Sequence, residues 1–178
     1  VVNDTVALLL GGDGADIAGI IGTGVNFAYW EKRLSIAPMK LKDLPGFSQS
    51  ELAVNLEAAN FDKIPLTKLG KIVDKKSDKP VFALAEKEAA GAYLYQIFNA
   101  GKDALLGKKF PALTAADQLN AILTGAYKYP LHITKNKKVM AEKFTQRIFH
   151  RSAQIVAVEL SGILLKLGKT KGIVTIVL

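Results

Sequence analysis

Apolar runs separated by glycines make up the first thirty residues. Residues 6–10 are apolar up to a glycine-rich break at 11–14, and this pattern predicts a strand end, a short helix and a turn. Ile17–Ile21 and residues 25–31 are two further apolar runs, separated only by Gly22-Thr23-Gly24. Because runs of this length around a short glycine-containing break are typical of hairpins, we predict two strands with a glycine-flanked tip.

The later strand-like runs are shorter and more scattered. Residues 53–61 predict a third strand, and residues 62–79 read as a polar, lysine-rich connection. A run of apolar and β-branched residues at 172–178 predicts a buried strand at the end of the sequence.

Three stretches have helical periodicity. Apolar residues three and four positions apart predict a helix over residues 81–100. Thr114 is expected to cap a short helix over residues 115–123, and residues 142–167 form a long helical pattern that ends at Gly168. Since strands and helices alternate along the sequence, we expect an α/β fold with helices packed on a sheet.

Composition narrows the class of protein. The 178 residues are 49% hydrophobic and 22% charged with no cysteine, which excludes disulfide scaffolds and thiolate metal sites and favours a cytoplasmic location. The net charge of +8 and pI near 9.6 suit an anionic partner. No apolar run approaches the roughly 18 residues of a membrane span, so no span is expected.

Two short motifs contain candidate chemistry. Asp4, in Asn3-Asp4-Thr5, fits either a helix cap or a general base that takes a proton from an attacking hydroxyl. Thr23 lies between Gly22 and Gly24, which either satisfy a tight turn or allow backbone N–H groups and a hydroxyl to approach a phosphate.

Five segments, in this order, together resemble the hexokinase/glucokinase family of sugar kinases. They are residues 2–7 (VNDTVA), 20–29 (IIGTGVNFAY), 54–62 (VNLEAANFD), 86–94 (EKEAAGAYL) and 151–157 (RSAQIVA). The resemblance implies the actin-like ATPase (ribonuclease H-like) fold, with a mixed sheet and flanking helices. It also implies that residues 1–178 are the large-domain portion of such an enzyme.

The resemblance assigns roles to individual positions. It implies that Asp4 is the base that deprotonates the sugar 6-hydroxyl and that Gly22, Thr23 and Gly24 form the second phosphate loop. The implied sugar contacts are Asn3, Asn26, Glu57 and Glu86. The implied partners are a hexose and a nucleotide, with ATP as phosphoryl donor and Mg²⁺ bound to it; the residues leave the oligomeric state open.

Departures from the family pattern leave an alternative open. Ala58-Ala59 follows Glu57, and Glu88-Ala89-Ala90 follows Lys87, where the family has bulkier or hydroxylated residues. The 178 residues also contain no counterpart of the family's first phosphate loop, small domain or adenosine segment, so this portion alone is expected to be inactive or nearly so. The alternative to a hexokinase is a non-catalytic, hexokinase-like sugar sensor.

Other motifs favour plain structural interpretations. Gly168-Lys169-Thr170 lacks the upstream glycine of a phosphate-binding P-loop and fits a helix end. His132 and His150 have no ligand-spaced partners in the sequence, so no metal site is expected. The basic residues between Lys135 and Arg151 lack interleaved aromatic residues, so a solvated helix face is favoured over a nucleic-acid surface.

Overall fold

The computed structural model describes residues 2–42, 49–169 and 171–178. The chain divides into two compact units. Unit 1 comprises Val1–Ile21, Asn26–Glu57 and Leu160–Leu178, and unit 2 comprises Gly22–Val25 and Ala58–Glu159. Each unit contains a hydrophobic core of its own.

Unit 1 is built on a mixed four-stranded sheet with the order β3-β2-β1-β4. The antiparallel pair β2–β3 sets Ala28 opposite Asn55, and the parallel pair β1–β4 sets Ile17 opposite Ile176. The strands are β1 (Ile17–Ile21), β2 (Val25–Lys32), β3 (Glu51–Asn55) and β4 (Ile176–Val177).

Helix α1 (Asp4–Gly11) covers this sheet because its apolar side chains meet small residues of the strands. Leu9 is 1% exposed and packs with Ala18 and Ala28. Burying a leucine side chain in this way contributes about 2 kcal/mol. A short helix, α2 (Pro38–Leu41), follows β2 and begins with the proline that favours a first helical turn.

Unit 2 is helical and packs around aromatic residues. The ring centroid of Phe98 lies 5.9 Å from that of Phe110 and 5.2 Å from that of Phe144. Its helices are α3 (Lys68–Lys76), α4 (Leu84–Ala89), α5 (Gly91–Leu106), α6 (Ala116–Leu123) and α7 (Lys135–Lys166), of which α7 continues beyond Glu159 into unit 1.

Some of the strand predictions are confirmed and others are wrong. The early helix and the two strands around the glycine-flanked tip are confirmed, whereas the strand end predicted before the first turn is wrong because Asp4–Gly11 is helical throughout. The predicted strand at 53–61 is wrong in its second half, because β3 ends at Asn55 and residues 58–60 form a 3-10 helix. The predicted buried strand at 172–178 is also wrong: β4 has two residues, and Ile173 is 96% exposed.

The helix predictions before α7 need three corrections. The connection predicted at 62–79 contains α3, whose first turn is capped by the Thr67 hydroxyl accepting the Gly70 N–H at 2.9 Å. The Thr114 cap is wrong, because Ala115 is the N-cap and the Gln118 side chain accepts the Thr114 N–H at 2.6 Å. The single helix predicted at 81–100 is two helices, α4 and α5, separated at Ala90.

Helix α7 begins at Lys135, earlier than the predicted start at 142. Among the described residues it is the one helix long and apolar enough, by length and composition alone, to cross a membrane. Long core helices meet the same criterion, and Ala141 and Ile148 of α7 lie in the core of unit 2.

Candidate functional site

The predicted base lies at the start of α1. Asn3 is the N-cap, and its Oδ1 accepts the N–H groups of Thr5 at 3.0 Å and Val6 at 3.3 Å. Asn3 therefore fills the capping role that the sequence offered to Asp4. Asp4 is the first helical residue, and its exposed carboxylate accepts the N–H of Thr5 at 2.8 Å and the Thr5 hydroxyl at 3.3 Å.

A row of side-chain hydrogen bonds joins this carboxylate to β2 and β3. The buried Thr5 hydroxyl accepts Asn26 Nδ2 at 3.1 Å, and the same amide donates to Asn55 Oδ1 at 2.7 Å. Asn55 Nδ2 donates to Glu57 Oε1 at 2.5 Å. The structure thus places Asp4, Asn26 and Glu57 in one hydrogen-bonded network within unit 1, and Asn3 at the adjoining cap.

Thr5 and Asn55 are the members of this network that the sequence did not single out. In the sequence, Thr5 stands out only as a neighbour of Asp4, and Asn55 only as part of a segment that resembles the family. The structure brings Asn55 to this network through strand register: Ala28 of β2 pairs with Asn55, and Asn26 lies two residues before Ala28 on the same strand. Side chains two residues apart share a face of a strand, so a known β2–β3 register would have brought the two amides together.

Glu57 has a backbone conformation unusual for its residue type. Its φ is +53°, in the left-handed region that glycine and asparagine enter most readily. A non-glycine residue there costs on the order of 1 kcal/mol or more, and such residues cluster at functional sites. The turn directs the chain out of β3 and places Glu57 within reach of the Asn55 amide.

The predicted phosphate loop lies in unit 2 and is tied to the start of α5. Gly22 N–H donates to the Gly24 carbonyl at 2.9 Å, which closes the turn. The Gly22 and Thr23 carbonyls accept the N–H groups of Gly91 at 2.8 Å and Ala92 at 3.2 Å. A Cβ at Gly91 would stand 2.9 Å from the Gly22 oxygen, so the approach depends on glycine.

A cavity of about 500 Å³ opens beside this loop. Thr23, Tyr95 and Asp117 supply polar side chains to its lining. Thr114 adds a further hydroxyl, and the remaining lining residues are Gly22, Gly91, Ala92, Ala115 and Ala116. This volume is in the range of sites that hold a small organic ligand.

Glu86 lies on α4, also in unit 2. Burial raises the pKa of its carboxyl above the ordinary value, and a hydrogen bond from the Val25 N–H opposes that shift. A Cβ at Gly24 would stand 2.9 Å from Glu86 Oε1, so a glycine at this position leaves room for the carboxylate. Thr23 and Glu86, unlike Asp4 and Glu57, therefore belong to unit 2.

The described part of the chain contains no group of three or more His, Asp or Glu side chains able to hold a metal ion.

Comparisons with known proteins agree with these observations. The family model described as Hexokinase matches residues 16–100. A hexokinase of Emericella nidulans is 36% identical over 125 residues, which are 66% of this chain and 25% of that protein. Glucokinase-1 of Saccharomyces cerevisiae is 27% identical over an alignment of 187 positions, covering 84% of this chain and 37% of the yeast protein. The chain thus spans between 25% and 37% of the length of these relatives.

Two solved structures have the same fold. The hexokinase from Schistosoma mansoni complexed with glucose superposes with a TM-score of 0.76 at 20% identity, covering 99% of this chain and 46% of that one. A second hexokinase crystal structure gives a TM-score of 0.65 at 25% identity, covering 99% of this chain and 43% of that one. The predicted α/β fold with a mixed sheet and flanking helices is confirmed.

Proposed function

The chain belongs to the hexokinase family, and from this premise we propose that the protein transfers the γ-phosphoryl group of ATP to the 6-hydroxyl of glucose or a related hexose. The observation that supports this most directly is the side-chain network Asp4–Thr5–Asn26–Asn55–Glu57. It joins an oriented carboxylate to amides and a second carboxylate within one unit, and a polyhydroxyl ligand needs such a set of donors and acceptors.

Asp4 is the proposed general base. Two donors of Thr5 fix one carboxylate oxygen, so the orientation of the group is set before substrate binds. In the proposed step the carboxylate accepts the 6-hydroxyl proton, the sugar oxygen forms a bond to the γ-phosphorus, and the bond between that phosphorus and the β–γ bridging oxygen breaks to release ADP.

The proposed hexose contacts are an amide and carboxylate set. Asn3, Asn26 and Glu57 are proposed to supply donors and acceptors for ring hydroxyls within unit 1, and the hexose contact of Glu86 is a separate proposal for unit 2. A buried polar group left without its partner costs about 1–3 kcal/mol, so a set of this kind favours ligands with a matching pattern of hydroxyls.

The proposed phosphate contacts are Gly22, Thr23 and Gly24 in unit 2. Backbone N–H groups and a hydroxyl at a glycine-flanked turn suit phosphate oxygens. Phosphoryl transfer depends chiefly on positioning and charge stabilisation, to which magnesium on the nucleotide contributes.

The decisive experiment is the Asp4→Asn variant of the full-length protein. We expect kcat for glucose phosphorylation to fall about 10³-fold because the amide cannot accept the proton, with the glucose dissociation constant within threefold of the original. Asp13→Asn, which changes an exposed aspartate in the turn after α1, is the matched control and should leave both constants unchanged.

Two results would contradict the proposal. Turnover of Asp4→Asn within tenfold of the original protein would remove Asp4 from the mechanism. Glucose binding by calorimetry without ATP consumption in the original protein would instead support the sugar-sensor alternative, which the alanines after Glu57 and Glu86-Lys87 first suggested.

A further inference from the structure

A buried ion pair lies directly beside Glu86 in the sequence. Lys87 Nζ donates to Asp74 Oδ1 at 2.7 Å, and the two residues are 2% and 6% exposed. Lys87 belongs to α4 and Asp74 to α3, so the pair joins the two helices within unit 2. The proposed chemistry does not use either residue.

The same two side chains hold the segment that connects α3 to α4, residues 77–83. Lys87 Nζ donates a second hydrogen bond, to the Lys79 carbonyl, at 2.6 Å. The Asp74 carboxylate accepts the Val81 N–H at 3.0 and 3.2 Å from its two oxygens. The ion pair therefore contacts the backbone of the segment at two points.

This segment is strained at Val81, which the pair holds, and at Ala83, two residues further on. Val81 and Ala83 have φ angles of +58° and +50°, although neither is glycine. A β-branched residue in the left-handed region is a genuine outlier and persists only where its surroundings enforce it. Val81 is 81% exposed, so packing of its own side chain does not enforce this conformation. The Val81 N–H instead donates to the Asp74 carboxylate, and Lys87 holds the Lys79 carbonyl two residues earlier.

The strained segment forms one wall of a cavity that contains Glu86. The cavity has a volume of about 530 Å³, and its lining includes Ser77, Lys79, Phe82, Glu86 and Tyr93. Adjacent residues of a helix point about 100° apart. Lys87 and Glu86 both line this cavity, and the Lys87 Nζ is bonded to Asp74 and to the Lys79 carbonyl.

We propose that Lys87 is a positioning residue for hexose binding: through its ion pair with Asp74 it holds segment 77–83 in its left-handed conformation and fixes the rotation of α4, so that Glu86 faces the ligand. This inference rests on the proposed role of Glu86 as a hexose contact. Because Asp74 and the Lys79 carbonyl engage its ammonium, Lys87 is assigned a role through Glu86 and not as a hexose contact.

The test compares Lys87→Met with Lys75→Met, which removes the same charge from an exposed lysine next to Asp74. Lys87→Met is expected to raise the glucose dissociation constant and KM about tenfold, the effect of one lost hydrogen bond to a ligand. KM for ATP should change less than twofold. Lys75→Met should change none of these constants.

Lys87→Met leaves the Asp74 carboxylate buried without its cation, which destabilises the fold. A second variant therefore separates loss of stability from loss of hexose binding. Asp74→Asn combined with Lys87→Met removes both charges and should show the same rise in the glucose dissociation constant. Adding Val81→Asn to that double variant should recover at least threefold of the loss, since asparagine tolerates positive φ and reduces the strain that the pair opposes. A lysine that only stabilised the fold would lower the melting temperature with no such specific rescue.

Each possible outcome supports or overturns the positioning role of Lys87. A glucose dissociation constant within twofold of the original in the folded double variant overturns the positioning role. Failure of both variants to fold also overturns it and assigns the pair to stability alone. If the original protein binds glucose but does not turn over, the proposed catalytic function fails, whereas the positioning role is still judged from the dissociation constants. If the original protein does not bind glucose, both fail.

Discussion

Glu159 is a buried carboxylic acid on α7 that the proposed chemistry does not use. It is 7% exposed, and neither carboxylate oxygen has a hydrogen-bond partner among the described residues. Burial disfavours the charged form and raises the pKa of Glu159 from its ordinary 4.5 to about 7. The folded protein therefore holds a proton there at a pH where the unfolded chain has lost it.

This pKa predicts how stability depends on pH. Between pH 4.5 and 7 the unfolded state binds fewer protons at Glu159 than the folded state, so stability falls as pH rises through this window. Relative to the original protein, Glu159→Gln should gain on the order of 2 kcal/mol between pH 5 and pH 8. Urea unfolding of both proteins at several pH values measures this difference.

Glu142→Gln is the matched control for that experiment, because Glu142 is exposed on the same helix. Its stability difference from the original protein should be the same at pH 5 and pH 8. A difference for Glu159→Gln that is equally constant with pH would show that Glu159 keeps an ordinary pKa.

At the scale of single residues, the sequence identified Asp4, Asn26 and Glu57 through resemblance, and the structure brings these three into one network. Thr5 and Asn55, which link them, were not predicted as site residues. Their role depends on which residues of separate elements lie opposite one another, and periodicity along one segment holds no information about that pairing.

Helices α4 and α5 are separated by long-range contacts that the apolar spacing of residues 81–100 does not reveal. The apolar spacing over residues 81–100 is continuous, yet the chain leaves helical geometry at Ala90, where ψ is 144°. The N–H groups of Gly91 and Ala92 then donate to the hairpin tip. These long-range hydrogen bonds outweigh the local preference for one helix.

The packing of α3 against α4 gives a prediction about glycine. A Cβ at Gly70 would stand 1.9 Å from Glu88 Oε1, which accepts the N–H of Thr67 at 2.6 Å and its hydroxyl at 2.9 Å. Glu88 is 1% exposed, so it cannot swing into solvent. Gly70→Ala should therefore destabilise the protein by about 2–4 kcal/mol, measured by urea unfolding, as the buried carboxylate loses partners.

Gly162 of α7 provides the opposite case. No atom lies within 4 Å of a Cβ built there, and the residue is exposed. Gly162→Ala should stabilise the protein by about 0.5–1 kcal/mol because alanine favours the helix. If both substitutions had the same sign, the contact between Gly70 and Glu88 would not be the cause of the Gly70→Ala effect.

At the scale of the whole molecule, net charge is divided unequally between the units. Unit 2 contains 17 Lys and Arg against nine Asp and Glu, whereas unit 1 contains seven of each. The full excess of +8 therefore belongs to the unit that contains Thr23 and its cavity. Positive potential around a site raises the local concentration of anionic ligands.

This distribution predicts a difference in salt dependence between the two proposed substrates. Raising the ionic strength from about 0.05 to 0.3 M should increase the KM for ATP several-fold, because salt screens the attraction of a polyanion. The KM for uncharged glucose, measured in the same solutions, should change less than 1.5-fold. Equal responses of both constants would show that the charge of unit 2 does not act on the nucleotide.

The overall class of the fold was accessible from sequence because it depends on features that repeat along the chain. Alternating strands and helices predicted an α/β protein, and five resembling segments predicted the family; both are confirmed. The prediction of a buried strand at 172–178 was wrong in extent. This segment has β propensity throughout, but strand pairing, with β1, involves only Ile176 and Val177. Strand propensity becomes a strand only where a pairing partner exists.

The bonds between the hairpin tip and α5 join residues about seventy positions apart, a long loop to close. During translation the turn Gly22-Thr23-Gly24 leaves the ribosome well before Gly91 and Ala92, so the Gly22 and Thr23 carbonyls must first be satisfied by water. A nascent chain that stalls before residue 91 therefore contains the loop's complete sequence but lacks the two donors that anchor it.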